Sequence, residues 1–138
     1  GTKPGRKPRI LLAEDNQTSI DTVSSFLDPL GCELLVVQRG DDAVRIASTA
    51  NPDLILMDIQ MPHMDGLEAI RLIRSHADPA VAQTPILALT ALAMRGDRER
   101  CLAAGADGYL SKPFTMRALL GTMQKLLAEG RAPQRSPE

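Results

Sequence analysis

Tryptophan is absent, and Phe26, Tyr109 and Phe114 are the only aromatic residues among 138. A platform on which successive bases stack needs more rings, so single-stranded nucleic acid is a poor fit. The interior has to be aliphatic, built from Leu, Ile, Val and Ala. A surplus of one charge is also missing: 16 basic residues meet 17 acidic ones, for a formal net charge of −1. No overall field therefore recruits nucleic acid or an anionic membrane, and the charges read as solvated helix faces. The two cysteines, Cys32 and Cys101, have neither metal-ligand nor redox-motif spacing. Each is expected to serve as a small buried hydrophobe, without a disulfide. No apolar run approaches a membrane span and no signal-peptide pattern opens the chain. A reducing cytoplasm is the expected compartment, without direct membrane contact.

The length suits one domain able to bury most of its apolar surface. Gly1–Arg9 carries four cations, two prolines and two glycines, which marks residues 1–8 as a flexible leader or linker. Gly130, Pro133 and Pro137 end any helix near residue 129, leaving 129–138 as a disordered tail. Residues 9–128 form the expected domain. Within it, short β-rich runs alternate with amphipathic stretches. Strands are predicted over Arg9–Ala13, Glu33–Val37, Asp53–Met57, Pro85–Leu89 and Gly108–Leu110. Ile20, Val23, Phe26, Leu27 and Leu30 recur at helical spacing in the first helix, which begins near Gln17. Asp41–Ala50, Gly66–His76, Ala93–Ala104 and Thr115–Ala128 fill the other four helical slots. Gly31 and Gly105 suit helix C-terminal caps, and Thr115 an N-cap. Alternation with continuously apolar strands gives an α/β fold, a parallel sheet covered on both faces.

In such a sheet the ligand lies beyond the carboxyl ends of the strands, where strand order reverses. The polar residues converge there. Ile10–Ala13 runs into Glu14 and Asp15, Leu54–Met57 into Asp58, Ile86–Leu89 into Thr90, and Tyr109–Ser111 into Lys112 and Pro113. Three crowded carboxylates repel one another unless a cation joins them. Oxygen ligands without a His or Cys cluster select a hard ion, and Mg²⁺ is the usual choice beside a phosphoryl group. The plainer alternative is that Glu14 or Asp15 caps the first helix. Lys112 suits a carboxylate or phosphoryl oxygen as a compact charge, and a cis bond to Pro113 would aim it into the site. The Thr90 hydroxyl is placed either to satisfy its own backbone or to donate to an anion over Asp58. His63 and His76 lack a second ligand at useful spacing and are expected to face solvent. Met57, Met61 and Met64 read as packing around the loop after Asp58.

Taken together, Ala13-Glu14-Asp15-Asn16, Met57-Asp58-Ile59-Gln60-Met61-Pro62, Met64-Asp65-Gly66, Leu89-Thr90-Ala91, Gly105-Ala106-Asp107-Gly108-Tyr109 and Ser111-Lys112-Pro113-Phe114 resemble a response-regulator receiver domain of two-component signalling, from about Arg9 to Leu127. The resemblance implies a flavodoxin-like, doubly wound five-stranded parallel sheet of order 2-1-3-4-5 with five helices. It implies that Asp58 accepts a phosphoryl group from a phosphohistidine. It also implies that Asp15, Asp58 and the Gln60 backbone carbonyl ligate Mg²⁺, with Glu14 reaching the ion through water. Lys112 then pairs with Asp58 and afterwards with a phosphoryl oxygen, while Thr90 and the Ala91 amide take the other oxygens. Thr90 and Tyr109 would act as the switch, altering Ala91–Gly105, the fifth strand and the face of Thr115–Ala128. Glu14 departs from the aspartate that many members carry. Gln60 and Leu92 occupy positions that tune hydrolysis, and an apolar Leu92 predicts a moderately long-lived phosphoryl state.

The local flavour, together with the basic leader and the lack of an output domain, most resembles the C-terminal receiver of a hybrid sensor histidine kinase. The implied partner is a histidine kinase or histidine phosphotransfer domain in a phosphorelay, with homodimerisation open. Such a domain has only self-phosphorylation and self-dephosphorylation chemistry, although its parent can be a kinase. A stand-alone single-domain regulator is the alternative reading. A Mg²⁺-dependent aspartyl-phosphate phosphohydrolase is the alternative of another class, disfavoured because Gln60 stands where such enzymes need a second acid. A flavin carrier is disfavoured because Glu14-Asp15 would repel phosphate.

Overall fold

Runs of four or five apolar residues with no polar alternation cannot present one face to water, and here they are covered on both. The computed structural model describes residues 7–61, 64–91 and 95–129. Its strands are β1 (Arg9–Ala13), β2 (Glu33–Val37), β3 (Leu54–Asp58), β4 (Ile86–Thr90) and β5 (Gly108–Ser111). They form one parallel sheet in the order β2-β1-β3-β4-β5. β3 and β4 are buried along their whole length, while the edge strands β2 and β5 are only partly covered. Among the described residues six helices pack around the sheet: α1 (Gln17–Leu27), α2 (Gly40–Ala50), α3 (Gly66–Arg74), α4 (Pro79–Ala82), α5 (Asp97–Ala104) and α6 (Met116–Glu129).

The period of two along each strand divides the core into two layers. Leu11, Ala13, Ile55, Met57, Ile86 and Ala88 meet α2, α3 and α5 through Ala43, Ala47, Ile70, Ile73 and Cys101. Ile10, Leu12, Leu54, Leu56, Leu87 and Leu89 meet α1 and α6 through Ile20, Val23, Leu27, Leu119, Met123 and Leu126. Burial of each Leu, Ile, Val or Met side chain among them contributes about 1.5–3 kcal/mol before conformational entropy opposes it. Cys101 is buried as expected, Cys32 is half-buried against the second layer, and both are free thiols.

Several boundaries differ from expectation for local reasons. Five helices were expected, and the sixth, α4, is a single turn started by Asp78, whose side chain accepts from the Ala80 amide, with Pro79 at the first helical position. The first helix stops at Leu27 because Pro29 has no N–H to continue its ladder. A tighter 3-10 turn follows over Asp28–Leu30, closed by Gly31 at φ 73°. Leu30 is consequently 52% exposed rather than part of the apolar face. α3 ends at Arg74, where the Ser75 amide closes the last turn. α5 begins at Asp97, after Gly96 at φ 88°, so the earlier start at Ala93 falls outside the described residues, as do Leu92, Met94, Pro62 and His63. Residues 1–6 of the leader and 130–138 of the tail also lie outside them. Gly105 and Thr115 cap as expected: Gly105 follows α5, and the Thr115 hydroxyl accepts from the Ala118 amide. Among the described residues no helix is long and apolar enough to cross a membrane.

Candidate functional site

Register places the polar residues side by side. Ala13 pairs with Met57, Asp58 with Leu89, and Thr90 with Ser111, so Glu14, Asp58, Thr90 and Lys112 occupy neighbouring carboxyl ends. The ladder continues past the strands. The amide of Glu14 donates to Val37 O at 2.9 Å, that of Ile59 to Leu89 O at 2.8 Å, and that of Lys112 to Thr90 O at 2.7 Å. These bonds fix the backbone from which each functional side chain projects. Strand order reverses between β1 and β3, the place where such sheets open a crevice.

Glu14, Asp15 and Asp58 bring carboxylate oxygens within 4.8 Å of one another. Glu14 and Asp58 are 1% and 4% exposed, while Asp15 faces solvent. Glu14 Oε1 accepts from Lys112 Nζ at 2.5 Å and its Oε2 from the Asn16 amide at 3.1 Å. Asp58 Oδ1 accepts from the Gln60 amide at 3.0 Å, and Oδ2 lies 3.4 Å from Lys112 Nζ. Burial above all, and then the Glu14 carboxyl beside it, push the Asp58 carboxyl up to about 7, against the lowering pull of the Gln60 amide and Lys112. An all-oxygen donor set, half sunk in the protein and short of positive charge, suits a hard divalent ion such as Mg²⁺.

The helix-capping alternative for Glu14 and Asp15 does not hold, because Asn16 is the cap. Its side chain accepts from the Ser19 amide at 2.9 Å. That role was visible in the sequence as an Asn one position before the helix. Lys112 is joined to Pro113 by a cis peptide bond, and a cavity of about 160 Å³ opens between it and Thr18, Thr22 and Val23 of α1, with Phe114 on the other wall. Thr90 is 3% exposed at the end of β4. Tyr109 is half-buried on the α5 side of the sheet, where burial first and then the Asp97 carboxylate push its phenol up. The Gln60 and Ala91 positions are exposed loop ends beyond β3 and β4. Met57 and Met61 are buried and Met64 packs against the same layer, as expected of packing residues.

One expectation changes. His76 is half-buried rather than solvent-facing, and its Nδ1 accepts from the Asp78 amide at 3.0 Å; His63 lies outside the described residues. Gly66 starts α3 so close beneath the site that a Cβ there would overlap the Asp58 carbonyl oxygen and come within 2.7 Å of Ile59 Cα.

Fold and site together define a receiver domain. The chain belongs to the response regulator receiver domain family, whose model matches residues 10–124. It is 38% identical over 96% of its length to the sensor protein GacS of Pseudomonas syringae pv. syringae, and 44% identical over 80% of its length to hybrid signal transduction histidine kinase G of Dictyostelium discoideum. It spans 15% and 3% of those two proteins. It is also 32% identical to the polar-differentiation response regulator DivK of Brucella ovis, covering 87% of this chain and 96% of that one. Among solved structures it resembles the receiver domain of sensor histidine kinase PA1611 from Pseudomonas aeruginosa PAO1, with a TM-score of 0.81 and 41% identity over 89% of this chain and 99% of that one. That domain was crystallised with a magnesium ion coordinated in its active site cleft.

Proposed function

We propose that Asp58 accepts a phosphoryl group from a phosphohistidine of a histidine kinase or histidine phosphotransfer domain, and that the chain is the cytoplasmic receiver of a hybrid sensor histidine kinase. The observation that carries this reading is the meeting of Glu14, Asp15 and Asp58 with Lys112 at the point where strand order reverses. In the transfer the donor's P–N bond breaks, a P–O bond to an Asp58 carboxylate oxygen forms, and the imidazole leaves with the electron pair. Phosphoryl transfer depends on in-line positioning and charge neutralisation more than on covalent help.

Asp15, Asp58 and the Gln60 carbonyl are the residues that would hold Mg²⁺, with Glu14 acting through water because Lys112 and the Asn16 amide already engage its oxygens. The ion when bound supplies neutralisation of phosphoryl charge. Lys112 stands ready to move from Glu14 onto a phosphoryl oxygen. The Thr90 hydroxyl and the Ala91 amide are the donors for the other oxygens. A turn of Thr90 toward the new anion would free space for Tyr109, altering the α5–β5–α6 surface that a partner or a second copy would read.

Likeness to GacS and to hybrid kinase G supports the hybrid origin. The DivK match, which spans nearly all of that regulator, supports a stand-alone regulator as the second reading. Intact-mass analysis after acetyl phosphate and Mg²⁺ tests the site itself. One added phosphoryl mass in the parent, absent from Asp58→Asn and absent with EDTA, is expected. Labelling that persists in Asp58→Asn moves the acceptor elsewhere and ends the assignment.

A further inference from the structure

Gly40 is buried at the first position of α2, far along the chain from every residue assigned to the site. Its backbone φ is not in the left-handed region, so conformation does not require glycine there. What requires it is close approach. A Cβ at Gly40 would overlap the Met64 carbonyl oxygen, and would stand 3.0 Å from both the Met64 carbonyl carbon and its Cβ. Backbone atoms cannot swing aside as the end of a long side chain can, so the Met64 peptide would have to move. By contrast, Gly121 in α6 has nothing within 4 Å of the same virtual atom.

Met64 follows Asp58 in the chain and precedes α3, and described residues on both sides of 62 and 63 are anchored. Before them, the Ile59 amide donates to Leu89 O and the Gln60 amide to Asp58 Oδ1. After them, Asp65 caps α3 by accepting from the Glu68 amide at 2.9 Å, and the Gly66 amide donates to Ile59 O at 2.9 Å. Gly66 lies directly against the Asp58 and Ile59 backbone. α2 therefore abuts the chain one residue before the second anchor, and Ala43 and Ala47 are fully buried further along the same helix.

We propose that Gly40 is a positioning residue for the metal site. Its bare Cα sets how near α2 lets Met64 lie, and thereby where the Gln60 carbonyl stands relative to Asp58. The inference rests on the receiver reading of the site, and it adds a determinant from an element that touches neither metal nor phosphoryl group. Any side chain at position 40 displaces the loop while leaving Glu14, Asp15, Asp58 and Lys112 chemically intact.

The test is calorimetric titration of Mg²⁺ into the full chain, comparing the parent with Gly40→Ala, Ala47→Gly and Gly121→Ala. Gly40→Ala is expected to weaken Mg²⁺ binding by about tenfold, the range typical of losing support for a metal ligand. In acetyl phosphate assays the Mg²⁺ concentration for half-maximal labelling should rise in step, while the rate at saturating Mg²⁺ changes far less. Ala47→Gly loosens the same helix without touching Met64 and should bind Mg²⁺ as the parent does, as should Gly121→Ala. Unchanged Mg²⁺ affinity in Gly40→Ala, or an equal loss in Ala47→Gly, overturns the proposal. If Gly40→Ala does not fold, Met64→Gly removes the side-chain part of the abutment from the loop and must weaken binding comparably; parent-like affinity there overturns it too. A parent that binds no Mg²⁺ would end the receiver reading of the site and this inference with it, whereas a parent that binds normally isolates the role of Gly40.

Discussion

Lys112 Nζ lies 2.5 Å from Glu14 Oε1 and 3.4 Å from Asp58 Oδ2, so the ammonium is held by the glutamate and only leans toward the proposed acceptor. Glu14 is nearly sealed from solvent, and the extra methylene relative to aspartate gives it the reach to hold the lysine. Removing this carboxylate takes away part of the negative field that attracts a divalent ion. Glu14→Ala is expected to weaken Mg²⁺ binding by about 10–100-fold, measured by titration at fixed pH. Affinity equal to the parent's would show that Glu14 serves only Lys112.

Lys112 competes with a divalent ion for the same two buried acids. Lys112→Met should therefore bind Mg²⁺ at least as tightly as the parent, yet accept phosphoryl from acetyl phosphate about 10²-fold more slowly, because a charge aimed at the transferring oxygens is gone. Opposite behaviour, weakened metal binding with normal labelling, would assign the lysine to holding the acids in place. Metal titration and a labelling time course on one preparation separate the two.

The raised Asp58 carboxyl has a definite consequence for stability. With its value pushed from 3.8 to about 7, the folded metal-free protein holds a proton between these limits that the unfolded chain releases. Bound protons then favour the folded state, and stability contributed by this group is lost as pH rises through that window. Metal-free Asp58→Asn lacks the titration, so it should exceed the parent by about 4 kcal/mol at pH 8 and converge with it near pH 4. Denaturant unfolding at several pH values, with EDTA present, measures the difference. A gap independent of pH would contradict the shift.

Much of this arrangement could be read from residue order. Apolar runs ending in Glu14, Asp58, Thr90 and Lys112 become neighbours as soon as the sheet is parallel, because register forces their carboxyl ends together. Each strand from β3 to β5 then reaches one residue further than its apolar run, since the polar residue at its end still pairs across the ladder. Local propensity could not reveal partners far along the chain. Arg74 is one more basic residue within the stretch expected to be helical over Gly66–His76, and Gly40 falls just before the helix expected over Asp41–Ala50. α4 hid inside a presumed loop, although Asp78-Pro79 is a helix-opening pair. Leu30 was misplaced because helical spacing alone does not register the proline that tightens the backbone into a 3-10 turn at residue 29.

The residue that most escapes such reading also makes the firmest stability prediction. At the amino ends of β4 and β5, opposite the acidic cluster, Arg74 Nη2 pairs with Asp107 Oδ2 at 2.7 Å, with side chains 11% and 3% exposed. Its Nε donates to Gly105 O at 2.8 Å, and its Nη1 to Ala82 O and Thr84 O at 2.8 and 2.7 Å. Asp107 Oδ2 also accepts from the Ile86 amide at 3.0 Å. One guanidinium thus ties α3 to the end of α4, the start of β4 and the turn before β5. Arg74→Met strips the donors from three carbonyls and leaves a buried carboxylate without its cation, an expected loss of about 3 kcal/mol or more. Asp107→Asn keeps an acceptor for Ile86 but loses the charge, and should cost about 1–2 kcal/mol. Gly105→Ala is unfavourable twice over, because φ is 123° and the new Cβ would stand 2.6 Å from Arg74 Cγ. Because this lock sits at the far end of the sheet, the Asp107→Asn variant should retain parent Mg²⁺ affinity while its unfolding midpoint falls. A coupled loss of metal binding at temperatures where the variant is folded would show that the two ends of the sheet communicate.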